Sequence, residues 1–249
     1  MIKIKAIILS GGYATRLYPL TENQPKSLLN IGDKPMIEHI ADQISKIKEV
    51  DKVYVVTNHR FYDSFRAWAM DYKTEKKIKV INDGTLKNED RLGAVGDLNF
   101  VLKEELIDDE VLMIAGDNLF GFKLNDMVKY FQKKKGSVLA FYDMKEKKKV
   151  AKKFGVGILD KEEKVVDFEE KPAEPRSTLA ATCCYLFSKK DVGLVGEYIR
   201  MSNKWDNPGD FAKWLMKRSV IYGYVFKEHW FDIGSFEGLE EANKFYKGN

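Results

Sequence analysis

Lys3-Ile4-Lys5-Ala6-Ile7-Ile8-Leu9 (KIKAIIL) runs straight into Ser10-Gly11-Gly12-Tyr13-Ala14-Thr15-Arg16-Leu17 (SGGYATRL). A short β-branched apolar run closed by glycines reads as a buried strand feeding a tight turn. The pattern then alternates. Pro35 stands where a helix begins, and Ile37, Ile40, Ile44 and Ile47 recur at helical spacing. Lys52–Thr57 reads as a strand, and Phe61, Phe65, Trp68, Ala69 and Tyr72 mark a second helix face. Ile78–Ile81 is a strand, Leu92–Leu106 a helix, Val111–Ala115 a strand, Leu124–Lys134 a helix and Ser137–Tyr142 a strand. Strand–helix alternation with short links implies a parallel sheet with helices on both faces. After Tyr142 the rhythm changes. Gly155–Leu159, Val165–Phe168 and Leu179–Phe187 read as strands of a more antiparallel kind. Helices are expected near Val192–Met201 and Phe211–Lys217, a strand at Val220–Phe226 and a last helix at about Phe236–Tyr246. The expectation is an α/β fold, Rossmann-like, with a mostly parallel sheet flanked by helices and an interleaved half containing antiparallel strands. No linker separates the halves, about 1–142 and about 143–249, so residues 1–249 are read as one domain.

Composition excludes several classes. A chain of 249 residues with 44% hydrophobic residues hides roughly 70–75% of its unfolded surface and needs no staples. The net charge of +4 is too weak, with its signs too mixed, to mark a nucleic-acid binder. The two cysteines, Cys183 and Cys184, are neighbours; on a strand they point to opposite faces, which suits neither a framework disulfide nor a metal knuckle. The apolar stretch Ala6–Leu9 is too short for a signal peptide, and no window reaches the ~20 apolar residues of a membrane span. A cytoplasmic protein with no membrane partner is expected.

The turn after the first strand carries the chemistry. In open α/β sheets ligands bind beyond the carboxyl ends of strands. Paired glycines let backbone amides approach phosphate oxygens, Arg16 offers a fork of donors, and Lys26 adds a point charge. Glycines alone fit a plain strand–helix turn better than a ligand site; Thr15-Arg16 and Pro25-Lys26 tip the reading towards a polyphosphate. There is no Gly-x-x-x-x-Gly-Lys-Ser/Thr, which excludes a Walker-type site, and the first turn lacks the third glycine of a dinucleotide fingerprint. Asp117 closes the strand Val111–Ala115 and Asp232 lies 115 residues further on. Each fits a turn residue or a metal ligand. His39, His59 and His229 share no metal-ligand spacing, and no histidine–carboxylate–nucleophile set supports a hydrolase. The six lysines of Lys145–Lys153 read as a solvated helix face, with an electrostatic funnel for anions as the alternative.

LSGGYATRLYPLT followed by PKSLL, then LGAVGDL (Leu92–Leu98), AGDN (Ala115–Asn118), FGV (Phe154–Val156), FEEKP (Phe168–Pro172) and WFDIGS (Trp230–Ser235), resembles the sugar-1-phosphate nucleotidylyltransferases, the glucose-1-phosphate thymidylyltransferase type especially. The blocks follow the family's order over nearly the whole chain. The resemblance implies transfer of a nucleotidyl group from an NTP, dTTP or UTP, to a hexose 1-phosphate, with release of pyrophosphate. It implies a nucleotide site of Leu9, Gly11, Gly12, Thr15, Arg16, Lys26, Asn88 and Gly93 in the first half. It implies a sugar-phosphate site of Asn118, Gly155, Glu170 and Lys171, with Mg2+ on Asp117 and Asp232. Arg16, Lys26 and Lys171 would form the catalytic centre. The chain departs from the pattern at Ala14, where glycine is common, and at Asn88, which stands where a glutamine is usual. Cys183 likewise takes the place of a glycine and would narrow the sugar pocket. With a last residue at 249, no hexapeptide-repeat domain and no acetyl transfer are expected. A nucleotide-sugar-dependent glycosyltransferase and a non-catalytic regulatory subunit of the same fold are the alternatives, and assembly into a homo-oligomer stays open.

Overall fold

Both sides of the first strand, β1 (Ile4–Leu9), are apolar: Ile4, Ala6 and Ile8 enter one core while Ile7 and Leu9 enter another. Such a strand needs cover on both faces. In the computed structural model, which describes residues 2–203 and 205–248, β1 lies inside a nine-stranded sheet. It pairs in parallel with β2 (Val50–Thr57) on one side and with β4 (Glu110–Ala115) on the other. β3 (Lys77–Asn82) extends the parallel set beyond β2. Leu9 is in register with both Val56 and Ala115, so the loops that leave β1 and β4 emerge side by side.

Helices α1 (Met36–Ser45), α2 (Tyr62–Asp71) and α4 (Leu124–Lys134) send Ile37, Ile40, Phe65, Met127 and Phe131 into the first core. Helices α3 (Ala94–Glu104), α5 (Val195–Met201) and α6 (Pro208–Leu215) send Val95, Leu98, Tyr198 and Phe211 into the second. The last helix, α7 (Phe236–Lys247), returns to the first face and buries Ala242 there.

The later strands are woven into the same sheet. β8 (Leu179–Phe187) lies between β4 and β5 (Ser137–Asp143), antiparallel to both. The antiparallel hairpin of β6 (Val156–Leu159) and β7 (Val165–Glu169) joins the beginning of β8. β8 therefore changes neighbours along its length: Leu179 and Ala180 pair with β6, whereas Cys184–Phe187 pair with β4. At the change, Cys183 takes a left-handed φ of 51° and the register with β5 shifts.

β9 (Ile221–Phe226) runs parallel to β5, a direction that local pattern does not encode. Two features differ from expectation. Helix α6 begins at Pro208, earlier than Phe211, because proline is well suited to a first helical turn. A two-stranded ribbon, Asn118–Phe120 against Trp230–Asp232, was not anticipated, since three residues are too few to show a period. Both cores draw residues from both halves of the chain, including Val138 and Phe226 in one and Phe141 and Phe168 in the other.

Candidate active site

The turn after β1 is strapped to the end of β2. Ser10 N–H donates to Val56 O (2.8 Å), Thr57 Oγ1 to Ser10 O (3.2 Å) and Asn58 Nδ2 to Gly11 O (3.0 Å). The two glycines have different reasons to be glycine. A Cβ on Gly11 would stand 2.7 Å from Asp97 Oδ2, whereas one on Gly12 would meet nothing within 4 Å. Gly12 faces open space, where a ligand can reach its backbone. Ala14 is held in the left-handed region (φ 50°) at a cost of about 1 kcal/mol, and Thr21 Oγ1 donates to its carbonyl (2.9 Å). Beyond the turn lies a cavity of about 570 Å³. Leu9, Gly11, Gly12, Thr15, Arg16, Lys26, Asn88 and Gly93 all line it.

Lys26 sits in a single 3-10 turn that begins after Pro25 and reaches across to the loop after β4. Its Nζ lies 2.5 Å from Asp117 Oδ2. The ribbon brings the second acid in: Asp232 pairs with Asn118, and Ile233 N–H donates to Asp117 O (3.0 Å). Asn118 Nδ2 donates to Asp117 Oδ1 (2.8 Å) and reaches Asp232 Oδ1 (3.5 Å), while Trp230 Nε1 fixes the amide by donating to its Oδ1 (2.7 Å). One amide thus holds two carboxylates together. Burial alone would raise the Asp117 carboxyl, yet the charge and hydrogen bond of Lys26 hold it below its ordinary value. Asp232 is pushed up to about 6 by burial and by the Asp117 charge, against the pull of Lys26, Arg16 and Lys171. Two adjacent carboxylates with incompletely balanced charge are oxygen donors suited to a hard divalent cation whose other ligands are phosphate and water. Among the described residues no group of three or more histidine, cysteine, aspartate or glutamate side chains is placed to hold a metal ion.

A second cavity, about 620 Å³, adjoins the first at Arg16 and Asp117. Asn118, Gly155, Glu170 and Lys171 line it, together with Arg16, Asp117 and Asp232. The two cavities share Arg16, Ala115, Asp117, Cys183 and Pro208, so they form one cleft. Glu170 is pushed up by burial; Lys171, 3.8 Å away and in a left-handed conformation (φ 46°), works against that. Two glycines make room for this carboxylate. A Cβ on Gly155 would stand 3.1 Å from Glu170 Oε2, and one on Gly209 would overlap it. Cys183 sits on the wall between the cavities, its thiol pushed up by burial and by Asp117, Asp232 and Glu170; it stays a thiol. Cys184 faces the core, its Sγ 3.9 Å from Met127 Sδ. The lysine run is not one helix face: only Lys147–Val150 forms a turn of helix, and Lys152 and Lys153 line the second cavity.

Other residues at the cleft were not legible as site residues in the sequence. Trp205 and Asp206 cap α3: Val95 N–H donates to Trp205 O (2.9 Å), Ala94 N–H to Asp206 O (3.3 Å), and Arg91 Nη2 bonds Asp206 Oδ2 (3.0 Å). Gly93 has a positive φ of 76° and no room for a Cβ, which would stand 2.5 Å from Asp206 Cα. Asp83 and Asp97 meet under Gly11. An aspartate on a helix is ordinarily a solvent residue, so Asp97 could be found only by knowing what the helix packs against.

Comparison with known proteins adds family and fold. The family model described as nucleotidyl transferase matches residues 5–249. The bifunctional protein GlmU of Methanocaldococcus jannaschii is 32% identical over 242 residues, covering 96% of this chain and 53% of that protein. A glucose-1-phosphate adenylyltransferase of Thermotoga neapolitana is 28% identical over 260 residues, covering 98% of this chain and 60% of its own length. The chain thus spans little more than half the length of these relatives. Among solved structures, a UDP-glucose pyrophosphorylase complexed with UDP-glucose superposes with a TM-score of 0.83 at 24% identity, covering all of both chains. That likeness concerns the fold.

Proposed function

The chain belongs to the nucleotidyl transferase family, and from that premise we propose that it joins a nucleoside triphosphate to a sugar 1-phosphate, giving a nucleoside diphosphate sugar and pyrophosphate. One observation carries the reading: two cavities, one walled by a glycine turn and one by Glu170 and Lys171, meet at Arg16 and Asp117. Two anionic substrates placed in them would meet along that shared wall.

An oxygen of the sugar phosphate attacks the α-phosphorus of the triphosphate, and the bond from that phosphorus to the bridging oxygen breaks, releasing pyrophosphate. The attacking oxygen is already anionic. It needs no general base, and the thiol of Cys183, kept protonated, is no competing nucleophile. The remaining task is to bring two like-charged groups into line and to balance the charge that builds on the leaving group. The open face of Gly12 admits the phosphates, Arg16 and Lys26 balance them, and Lys171 takes the phosphate of the sugar. Glu170 accepts hydrogen bonds from sugar hydroxyls. Asp117 and Asp232 would hold Mg2+, which neutralises phosphate charge when bound. Lys26, bonded to Asp117, would have to share that acid with the metal.

The donor and acceptor to try first are dTTP or UTP with a hexose 1-phosphate. Relatives and neighbours are named for adenylyl transfer as well as for UDP-glucose, so base choice belongs to this chain's own cavity. A cytoplasmic location suits these substrates, and among the described residues no helix is long and apolar enough to cross a membrane. The test is a matrix of five NTPs against a panel of sugar 1-phosphates with Mg2+, scored by pyrophosphate. Release that requires both substrates is expected; no release from any pair would overturn the reading.

A further inference from the structure

Beneath the nucleotide turn lies a pair of acids that the transfer chemistry does not use. Asp83, just beyond β3, is fixed by its neighbours: its Oδ1 accepts from Thr85 N–H and from Thr85 Oγ1, both at 2.7 Å. Its Oδ2 lies 3.2 Å from the position of a Cβ on Gly11, and Asp97 Oδ2 lies 2.7 Å from the same point. The two carboxyls thus face each other beside the missing side chain of Gly11. Asp97, on α3, is only 6% exposed, and its Oδ1 is the one buried side-chain oxygen or nitrogen among the described residues without a hydrogen-bond partner.

Two carboxylates in contact repel unless a proton lies between them, and a buried carboxylate oxygen with no donor is costly. A protonated Asp97 resolves both problems. Its hydroxyl donates to Asp83, already committed as the acceptor of two bonds from Thr85, and its free oxygen becomes a neutral carbonyl. Burial, the Asp83 charge and Asp206 all raise the Asp97 carboxyl well above its ordinary value, and burial raises Asp83 as well. The surrounding charges do not supply a counter-ion. Asp206 is already paired with Arg91. Tyr13 spends its hydroxyl on Thr85 O, Asn58 is neutral, Arg60 bonds Glu22 O, and the 88–90 turn adds Glu89 and Asp90.

We propose that Asp83 and Asp97 share one proton, and that Asp97 is thereby a positioning residue: the shared proton holds the two side chains together under Gly11 and keeps a second negative charge away from the bound triphosphate. The inference rests on the placement of the nucleotide at this turn. When the proton leaves, the pair carries two charges; the side chains part, Gly11 loses its seat and the phosphates face an added anion.

The experiment measures equilibrium binding of each of the five NTPs by calorimetry, without sugar phosphate, from neutral to alkaline pH, for the intact chain and for Asp97→Asn and Asp83→Asn. In the intact chain affinity should fall by up to about tenfold per pH unit once the shared proton is lost. Either Asn variant limits the pair to a single charge, so this alkaline fall should disappear in both; ionisation of the nucleotide itself is common to all three proteins and cancels. Infrared spectra of the intact chain should show a protonated carboxyl band at neutral pH that vanishes over the same range, which tests the proton even if a variant fails to fold. A flat profile in the intact chain, an unchanged fall in both variants, absence of that band or absence of nucleotide binding would each overturn the proposal. Binding with the expected profile but no pyrophosphate from any substrate pair would instead sink the transfer reading and leave this one standing.

Discussion

Lys26 shows how much one side chain is asked to do. It neutralises Asp117 at 2.5 Å and borders the cavity beyond the glycine turn at the same time. Lys26→Ala should lower turnover by about 10²–10³, the usual scale for removing one donor from a charge-stabilising site, and pyrophosphate release measures it. The paired glycines separate structural from ligand constraints. Gly11→Ala drives a methyl into Asp97 and should cost about 1–3 kcal/mol of stability, whereas Gly12→Ala enters open space and should leave the thermal midpoint unchanged. Thermal melts of the two variants decide it. Arg16, Lys26, Asp117, Glu170, Lys171 and Asp232 were readable as candidates because each is a charge in a turn or at a strand end within a motif. Lys152 was legible only as part of a lysine run whose alternative reading was an electrostatic funnel, and Asp83 and Asp97 were not candidates. That these two acids meet under Gly11 depends on what α3 packs against, and charge, spacing and hydropathy say nothing of that.

At the scale of elements, the buried strands β1, β2 and β4 were readable because each is apolar on both faces over a strand's length. The short ribbon that presents Asp117 and Asp232 was not, and neither was the direction of β9, which depends on a partner far along the chain. Helix α7 seals the outer side of that ribbon through histidines. His39 Nε2 donates to Ile31 O, its ring lies 4.5 Å from that of Tyr246, and His229 Nε2 bonds Tyr246 Oη at 3.1 Å. Burial holds both histidines below the ordinary value of 6.5. The unfolded chain therefore takes up protons first as pH falls through 6.5, so stability is full above that value and declines below it. Each unit of depression is worth about 1.4 kcal/mol. Thermal midpoints should drop on acidification, with early hydrogen exchange in α7, and a His39→Gln/His229→Gln variant should flatten the slope.

The molecule as a whole is one sheet shared by two interleaved halves, and the α/β character with a late change of rhythm was visible in the alternation of apolar runs. How the halves interlock was not, because insertion of β8 between β4 and β5 is a matter of strands meeting from distant parts of the chain. Since each core takes residues from both halves, heat should unfold the protein in a single step. Coincident far- and near-ultraviolet circular dichroism curves, with calorimetric and van't Hoff enthalpies equal, would establish this; two separated transitions would contradict it. The ribbon that joins Asn118 to Asp232 also bears on the order of events during synthesis. A nascent chain still emerging from the ribosome can fold its first strands and display the glycine turn, yet it lacks one of the two acids until the stretch around Asp232 has cleared the exit tunnel. Under the proposed reading, unfinished copies would lack the complete acid pair and would be idle.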